Sequence, residues 1–239
     1  MVAKRLLVSD LDGTLLGDDG ALRRFAAWLE PRRASYSVVY ATGRHRSSVL
    51  DAIEADGLPS PDALISAVGT EIHNASGHVW PGWRARFDES HGPRARAALR
   101  MLRWLELQER ERQSALKASY NVRGLTQTDL RFIQQVLSAA AVDAKLVYSG
   151  GLHLDIIPAG SGKGEAARFV AGALGIPENR VLTFGDSGND GELLAKGFHG
   201  TIVANALPEL RLAIGDHVYR SPLRFADGVL DGIRFWSER

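Results

Sequence analysis

The sequence predicts an α/β fold in which a parallel β-sheet forms the core and a separate α+β module is inserted. Short apolar runs alternate with helical patterns over residues 5–68, and the same alternation returns over residues 163–236. This alternation is typical of βαβ units, whose strands pair in parallel. Between residues 80 and 159, helices are instead mixed with neighbouring strands, which favours an α+β arrangement.

The predicted elements of the first third are short and apolar. The run Tyr36-Ser-Val-Val-Tyr-Ala41 is rich in residues that favour strands. We expect strands at residues 5–9, 36–41 and 63–68, with helices at residues 21–29 and 46–55.

The last third has clearer boundaries. Gly175 and Pro177 end one helix, and Pro208 begins another. We expect helices at residues 163–174, 190–195, 208–214 and 225–236, with strands at residues 180–184 and 200–203.

The middle third contains one long charged segment, followed by strands. The last two strands are joined by Ser149-Gly150-Gly151. We expect helices at residues 93–112 and 127–140, with strands at residues 117–122, 145–148 and 152–157. The predicted architecture is therefore a Rossmann-like core from residues 1–79 and 160–239, with an inserted module from residues 80–159.

Composition excludes several classes of protein. Of the 239 residues, 45% are hydrophobic and 24% are charged, which is typical of an ordinary globular chain. The 29 basic and 28 acidic residues leave a net charge of +1, so there is no overall attraction to nucleic acid or anionic membranes. The absence of cysteine excludes disulfides, thiolate catalysis and cysteine-bound metals. We find no apolar run long enough to span a membrane and no signal-peptide core, so we expect a cytoplasmic protein.

Two acidic motifs follow predicted strands. In Asp10-Leu11-Asp12-Gly13-Thr14 the carboxylates are two residues apart, so in an extended segment they face the same pocket. In Gly185-Asp186-Ser187-Gly188-Asn189-Asp190 two more carboxylates follow a strand and open a helix. Ligands bind at the carboxyl ends of parallel strands, and an oxygen-only cluster suits Mg²⁺. Each motif could alone be a capped turn.

Two weaker motifs carry candidate phosphate ligands. Thr42 ends a predicted strand, and its hydroxyl could donate to a phosphate oxygen, although for the motif taken alone a strand-ending turn is the better explanation. Gly160-Ser161-Gly162-Lys163-Gly164 is similar to a phosphate-binding loop. It lacks the Walker A pattern because Ile157 and Gly164 stand where Gly and Ser or Thr are needed. What remains is Lys163, one of only five lysines, at the start of a helix.

In their order along the chain, Asp10-x-Asp12-Gly-Thr, Thr42, Lys163 and Gly185-Asp186-x-x-Asn189-Asp190 resemble the four motifs of the haloacid dehalogenase superfamily of phosphohydrolases. The insertion between Thr42 and Lys163 resembles that superfamily's large C2-type cap. The whole chain is similar to bacterial sucrose-phosphate phosphatases, without the extra C-terminal domain of the plant enzymes.

Six further segments and the acidic loop after residue 184 carry the narrower resemblance. They are Tyr40-Ala-Thr-Gly-Arg44, Ala67-Val-Gly-Thr-Glu-Ile72, Lys117-Ala-Ser-Tyr120, Asp155-Ile-Ile-Pro158, Ser161-Gly-Lys-Gly164, Gly185-Asp-Ser-Gly-Asn-Asp190 and Asn205-Ala-x-Pro-Glu-Leu210. Gly13 departs from the Asn that sucrose phosphatases often carry there. Mannosylfructose-phosphate phosphatases are similar too, so the substrate stays open between sucrose 6-phosphate, mannosylfructose phosphate and a broader set of hexose phosphates.

The resemblance implies a two-step, Mg²⁺-dependent hydrolysis in sucrose biosynthesis. Asp10 would be the nucleophile that forms an aspartyl-phosphate, and Asp12 the general acid and base. Mg²⁺ would be held by Asp10, Asp186 and the backbone carbonyl of Asp12. Asp190 would orient the metal or Lys163. Thr42 and Lys163 would bind the phosphoryl oxygens.

The resemblance also implies that the sugar is selected by the cap and the loops that face it. Trp80 and Trp83 could stack on a sugar, although packing at the hinge explains them better. The predicted substrate-binding residues are Thr42, Gly43, Arg44, Glu71, Lys117, His153, Asp155, Lys163, Asn189 and Asn205.

Three other functions remain as alternatives. The arginine-rich stretch at residues 84–112 could bind nucleic acid, but its interleaved acidic residues favour a solvated face, and we expect no nucleic-acid partner. A non-catalytic sugar-phosphate-binding partner of a glycosyltransferase is a second alternative, and such a transferase is also a candidate partner of the enzyme itself. A phosphotransferase or mutase is the third.

Overall fold

The computed structural model describes residues 4–194 and 197–238. In these ranges the strands are β1 (Arg5–Ser9), β2 (Tyr36–Ala41), β3 (Ala63–Ser66), β4 (Glu71–Asn74), β5 (Glu106–Leu107), β6 (Ala118–Asn121), β7 (Ala144–Ser149), β8 (His153–Pro158), β9 (Val181–Gly185), β10 (His199–Ile202) and β11 (Tyr219–Arg220). The helices are α1 (Asp19–Leu29), α2 (Arg46–Asp56), α3 (Pro81–Arg84), α4 (His91–Leu99), α5 (Gln127–Ala139), α6 (Lys163–Ala173), α7 (Pro208–Ala213) and α8 (Phe225–Ser237).

A seven-stranded sheet forms the core, in the order β11-β10-β9-β1-β2-β3-β4. Every neighbouring pair is parallel except β3 and β4, which are antiparallel. The chain builds outward from β1 to β2 and β3 on one side, and from β9 to β11 on the other. The strand order therefore changes direction beside β1, which is where open α/β sheets bind ligands.

Helices cover both faces of this sheet, which explains the continuous apolar runs of its strands. Leu7 on β1 packs with residues of α1 and α8 on one face. Leu6 and Val8 on the same strand point to the other face, where they pack with α6 and with Trp83 of α3. The predicted α/β class is confirmed.

The inserted segment forms a second, four-stranded antiparallel sheet in the order β5-β6-β8-β7. Helices α4 and α5 pack on it and form a separate apolar core. Gly150 and Gly151 have φ angles of +63° and +67°, which allow the tight β7–β8 hairpin that the sequence predicted. The exact boundaries at residues 79/80 and 159/160 stay a prediction, since Trp83 packs against the large sheet.

Two predicted helices are wrong. The helix predicted at residues 93–112 ends at Leu99, and Glu106–Leu107 instead pair with β6 as an edge strand. The helix predicted at residues 190–195 is a single 3-10 turn at Gly188–Asp190, followed by turns to residue 194. Ala195 lies outside the described residues. In both places contacts with distant residues override the local preference for a helix.

The other differences lie at element ends and sheet edges. The strand predicted at residues 63–68 stops at Ser66 because the next three residues adopt left-handed backbone angles. The edge strands β4 and β11 were not predicted, since each is too short or too polar to stand out. In the described part of the chain, no helix is long and apolar enough to cross a membrane.

Candidate active site

The carboxyl ends of β1, β2 and β9 meet at one edge of the large sheet. Asp10 directly follows β1, is only 4% exposed, and donates its backbone N–H to the carbonyl of Phe184 on β9 at 3.0 Å. Asp186 directly follows β9, and Thr42 directly follows β2. The predicted meeting of these motifs therefore follows from the parallel pairing of the three strands.

The turn after β1 passes unusually close to Asp186. Gly13 has a φ angle of +82°, and a Cβ atom there would lie 2.4 Å from Oδ2 of Asp186. The hydroxyl of Thr14 donates to Oδ1 of Asp186 at 3.1 Å. Any side chain at position 13 must displace the Asp186 carboxylate, so glycine allows the two acidic loops to lie together.

Lys163 lies at the centre of the site and bonds three side-chain oxygens. Its side chain is 0% exposed, and Nζ donates to Oδ1 of Asp10, Asn189 and Asp190, each at 2.7 Å. Burial disfavours its charge, but attraction to Asp10 and Asp190 outweighs burial and raises the pKa of Lys163. Lys163 is therefore a permanent buried cation, not a surface residue.

Three buried carboxylates surround this cation. Asp10, Asp186 and Asp190 place carboxylate oxygens within 4.8 Å of one another. Burial, with repulsion from Asp190 and Asp186, raises the pKa of Asp10 well above its usual range although Lys163 opposes it. Burial and Asp190 likewise raise the pKa of Asp186 to about 7, again against Lys163.

This charge balance fits a divalent cation. One lysine cannot neutralise three buried carboxylates, so two negative charges remain uncompensated when all three are ionised. The donors are hard oxygen atoms, the type that Mg²⁺ prefers.

Asp190 is engaged on both of its carboxylate oxygens. Oδ2 accepts the backbone N–H groups of Asp186 at 3.0 Å and Ser187 at 3.1 Å, while Oδ1 accepts from Lys163. These bonds hold the acidic loop and Lys163 in place. They favour the predicted orienting role of Asp190 over direct coordination of a metal.

The loop after β2 faces the same centre. The hydroxyl of Thr42 is buried and accepts the backbone N–H of Arg44 at 3.1 Å. The Arg44 guanidinium binds both carboxylate oxygens of Asp12, with Nε at 2.8 Å from Oδ2. The Asp12 side chain is 58% exposed, so it lies on the open side of the site above buried Asp10.

A strained turn after β3 supports this loop. Ala67, Val68 and Gly69 have φ angles of 49°, 59° and 86°, and such angles are unfavourable for the β-branched Val68. The N–H of Val68 donates to the carbonyl of Thr42 at 3.0 Å. Because the C=O and N–H of a trans peptide point in opposite directions, the Gly43 N–H is directed away from Val68. No sequence pattern indicated that Val68 would hold the loop after β2.

A cavity of about 430 Å³ lies between the two sheets, above Asp10. Its floor is formed by the core loops and its roof by the inserted module. The lining residues are Asp10, Asp12, Gly43, Arg44, Gln108, Glu109, Arg112, Lys117, Asn121, Ser149, His153, Asp155, Ser187 and Asn189.

Three of the predicted cap residues line this cavity. Lys117 is 3% exposed, and its Nζ lies 3.4 Å from Oδ1 of Asp155, which also accepts the hydroxyl of Ser119. His153 is exposed at the roof, where its Nδ1 lies 3.1 Å from the Gln108 amide nitrogen. The cap therefore presents charged and amide groups to the space above Asp10.

Four predicted substrate residues are not among its lining residues: Thr42 and Lys163, which are buried beneath it, and Glu71 and Asn205. The amide nitrogen of Asn205 donates to the carbonyl of Gly13 at 2.6 Å, and its oxygen accepts the N–H of Phe225 at 2.8 Å. Asn205 thus fastens the β1 loop to the start of α8, and this placement does not support a sugar contact. Glu71 lies on β4 opposite Ser66, outside the described lining.

The two tryptophans considered for sugar stacking pack against the core instead. Trp83 is fully buried, contacts Phe87 and Phe169, and donates its indole N–H to the carbonyl of Gly69 at 3.2 Å. Trp80 packs edge-on against Phe169. Packing rather than an exposed stacking surface therefore accounts for both tryptophans, and their place at a hinge stays a prediction.

Six residues that line the cavity were not predicted from the sequence. Gln108, Glu109 and Arg112 were hidden because the predicted helix at residues 93–112 made them part of a solvated face. The complete set missed is Gln108, Glu109, Arg112, Asn121, Ser149 and Ser187. Two of them had a usable signal: Ser149 belongs to the Ser-Gly-Gly turn that marked a hairpin tip, and Ser187 lies within the acidic motif after β9.

Comparison with known proteins agrees with this geometry. The family model described as sucrose-6F-phosphate phosphohydrolase matches residues 3–237. Mannosylfructose-phosphate phosphatase of Agrobacterium fabrum is 35% identical over 97% of this chain and 96% of its own length. Sucrose-phosphatase 2 of Nicotiana tabacum is 33% identical over 87% of this chain, which spans about half (52%) of that longer protein.

A solved structure extends the similarity to three dimensions. The sucrose-phosphatase of Synechocystis, in complex with sucrose and phosphate, superimposes with a TM-score of 0.92 and 29% identity, covering 98% of both chains. A haloacid dehalogenase-like hydrolase of Bacillus subtilis shares the fold at a TM-score of 0.69. With its motifs, its fold and the family match over residues 3–237, the chain belongs to the sucrose-6F-phosphate phosphohydrolase family within the haloacid dehalogenase superfamily.

Proposed function

We propose that this phosphoric monoester hydrolase is Mg²⁺-dependent and converts sucrose 6-phosphate into sucrose and phosphate. The observation that carries the proposal is the position of Asp10. Its carboxylate is buried against Lys163 at the floor of a cavity whose roof is lined with groups that hydrogen-bond sugar hydroxyls.

Asp10 is the nucleophile in this proposal. Lys163 holds Oδ1 of Asp10, so the other oxygen attacks phosphorus as the ester P–O bond breaks. The product of this step is an aspartyl-phosphate, and water then attacks its phosphorus to release inorganic phosphate and restore the Asp10 carboxylate.

Asp12 carries the proton in both steps. It first protonates the leaving sugar oxygen, which leaves Asp12 as a carboxylate able to accept a proton from the attacking water. Arg44 orients this carboxylate toward the cavity through two hydrogen bonds. The exposed position of Asp12 suits proton exchange with substrate and solvent.

The phosphoryl oxygens are bound by groups that are already in place. Lys163 contributes a positive charge, and Thr42 and the Gly43 N–H face the same side of the site. Asp10, Asp186 and the backbone carbonyl of Asp12 would hold Mg²⁺, which when bound screens the repulsion between the Asp10 carboxylate and the phosphate. Asp190 holds both Lys163 and the loop of Asp186 in place through hydrogen bonds.

The roof of the cavity supports a disaccharide substrate. Its volume is within the range of about 300–1,000 Å³ that is usual for small-molecule sites. Lys117, Asp155, His153 and Asn121 offer both donors and acceptors, as a ring of sugar hydroxyls requires. The second candidate is mannosylfructose phosphate, which is favoured by the 35% identity over nearly the whole chain to a phosphatase named for it.

A panel of sugar phosphates tests the proposal. Free phosphate is measured with Mg²⁺ and with EDTA, using the 6-phosphates of sucrose, mannosylfructose, trehalose, glucose and fructose. We expect release that depends on Mg²⁺ and is fastest with sucrose 6-phosphate. A preference for mannosylfructose phosphate would change the proposed substrate and leave the proposed mechanism unchanged. Tight binding with no release would favour the non-catalytic alternative.

Binding of Mg²⁺ should also change the thermal stability of the protein in a way that depends on pH. The pKa of Asp186 is raised from 3.8 to about 7 in the folded protein. Without a cation, its contribution to stability is therefore present below about pH 4 and is lost as pH rises through about 7. Mg²⁺ competes with the proton for the same carboxylate. We expect Mg²⁺ to raise Tm more at about pH 8 than at about pH 6.

Scanning calorimetry at the two pH values, with and without Mg²⁺, measures this effect. Asp186→Asn should lose the Mg²⁺-dependent shift, whereas the matched Asp227→Asn on the surface should keep it. An undiminished shift in Asp186→Asn would remove Asp186 from the metal site.

The remaining expectations stay predictions. These are the cytoplasmic location, the lack of a nucleic-acid partner, and association with a sugar-phosphate glycosyltransferase. The arginines of residues 84–112 are partly paired: Arg84 binds Glu89 and Arg94 binds Asp88, while Arg112 lines the cavity. These pairs support a solvated face of mixed charge rather than a nucleic-acid surface.

A further inference from the structure

We propose that Glu209 is a positioning residue, whose carboxylate holds the β7–β8 hairpin of the cap against the acidic loop of the core and so sets the width of the sugar cavity. The proposal rests on the function proposed above. Glu209 and Gly150 lie outside the four motifs and the metal site, and Gly188 occupies a position that the fourth motif leaves unspecified.

One oxygen of Glu209 joins the two sheets. Oε1 accepts the backbone N–H of Gly150, at the tip of the hairpin, at 2.8 Å. The same oxygen accepts the backbone N–H of Gly188, in the loop after β9, at 3.0 Å. Hydrogen bonds to an ionised acceptor are stronger than those between neutral groups, so this bridge is stronger than two ordinary contacts.

The backbone at this point is adapted to close approach. A Cβ atom on Gly188 would lie 2.7 Å from the carbonyl oxygen of Tyr148 and 2.8 Å from Oε1 of Glu209. Only glycine allows the hairpin and the core loop to come this near. Gly150 has the left-handed φ of +63° that turns its N–H toward the core.

The residues beside the bridge line the cavity. Ser149 precedes Gly150 on the cap side, and Ser187 and Asn189 flank Gly188 on the core side. Asn189 also accepts a hydrogen bond from Lys163 at 2.7 Å. A change in the distance between Gly150 and Gly188 therefore changes the width of the cavity where the sugar is expected.

Glu209 is held firmly on the core side. It is the second residue of α7, whose Leu210 is buried. The N–H of Leu207, just before the helix, donates to the carbonyl of Asp186 at 2.7 Å. In addition, an ion pair from Lys145, the second residue of β7, to Glu192 at 2.9 Å aligns this strand with the core. Glu209 is thus anchored in the core, and from there its carboxylate holds Gly150 at the hairpin tip.

The bridge formed by Glu209 should affect binding of the sugar part of the substrate more than reaction at the phosphate. Lys163 contacts Asp10 and Asp190 through bonds that do not involve Glu209, so we expect the reacting centre to persist when Glu209 is removed. In Glu209→Ala, we expect kcat/KM for the disaccharide phosphate to fall about tenfold, mainly through KM. Hydrolysis of p-nitrophenyl phosphate, which is too small to need the hairpin, should change by less than about threefold.

Two variants separate positioning from a general loss of structure. Glu209→Gln keeps an acceptor oxygen and should recover most of the lost kcat/KM. Glu178→Ala removes a carboxylate that bonds Arg168 within the core, and should leave the ratio of the two substrates unchanged. Equal losses on both substrates in Glu209→Ala would assign Glu209 a merely structural role and overturn the proposal.

A distance measurement tests the same inference without relying on activity. The chain has no cysteine, so Glu30→Cys on the core and Met101→Cys on the cap, both exposed, accept spin labels specifically. With inorganic phosphate present, Glu209→Ala should shift the label distances to longer and broader values, and Glu209→Gln should not. An unchanged distribution would overturn the proposal. If no sugar phosphate is hydrolysed by the unsubstituted enzyme while the distances still respond to Glu209→Ala, the proposed function fails and the positioning role stands.

Discussion

Asp10→Asn is expected to lower kcat for sugar-phosphate hydrolysis by about three powers of ten or more. The amide is a very poor nucleophile, yet it has the size of the carboxylate and keeps an oxygen that can accept from Lys163. The loss should therefore reflect chemistry rather than folding. Phosphate release under saturating substrate measures it.

The control for this variant is Asp227→Asn, which changes a surface carboxylate paired with Arg24 and should leave kcat unchanged. A second readout is the covalent intermediate itself. Acid quenching with radiolabelled substrate should leave phosphate on the unsubstituted chain and none on Asp10→Asn. Near-normal turnover in Asp10→Asn would remove Asp10 as the nucleophile.

Lys163→Met is expected to reduce both activity and stability. The substitution leaves buried Asp10 and Asp190 without their shared cation, and breaking such a pair typically costs about 3–5 kcal/mol in the free energy of unfolding. Loss of a positive charge that faces the phosphoryl oxygens should also lower kcat by about a hundredfold or more.

The destabilisation should depend on pH, in a direction that follows from the carboxylates. The pKa of Asp10 is already raised in the folded protein, and removing Lys163 raises it further. A raised carboxyl pKa favours the folded state at low pH, and that contribution is lost as pH rises through the folded pKa. We therefore expect a larger loss of stability at about pH 8 than at about pH 5.

Urea unfolding at the two pH values measures this difference. Arg24→Met is the comparison, because Arg24 forms an exposed ion pair with Asp227 and contributes little to stability. A loss in Lys163→Met that is no greater than in Arg24→Met would contradict the view of Lys163 as the buried cation at the centre of the site.

The meeting of Asp10, Thr42 and Asp186 could be predicted from the sequence, because each of them directly follows a strand. Asp10, Thr42 and Asp186 each follow an apolar run, and parallel strands place their carboxyl ends at one edge. Lys163 was identified by its motif. Its three oxygen partners lie up to 153 residues away along the chain, so its burial could not be predicted from its own segment.

The wall of the cavity above Asp10 could not be predicted in the same way. Residues 106–112 have the composition of a solvated helix, but Glu106 and Leu107 pair with β6 and bring Gln108 and Arg112 over the active site. Asn205 has the residue type of a sugar ligand, yet both ends of its amide bond backbone groups. The positions of these residues depend on hydrogen bonds with backbone groups that are distant along the chain.

The sequence by itself thus determined the α/β class, the inserted α+β segment and the acidic motifs that meet at one edge of the sheet, because periodicity and short motifs are local properties of the chain. Only the tertiary structure decided which cap residues face Asp10, how Lys163 is shared among three oxygens, and that Glu209 joins the two sheets. The physical reason is that hydrogen bonds and ion pairs between sequence-distant groups are satisfied only after the strands have assembled, and no local pattern records which groups will meet.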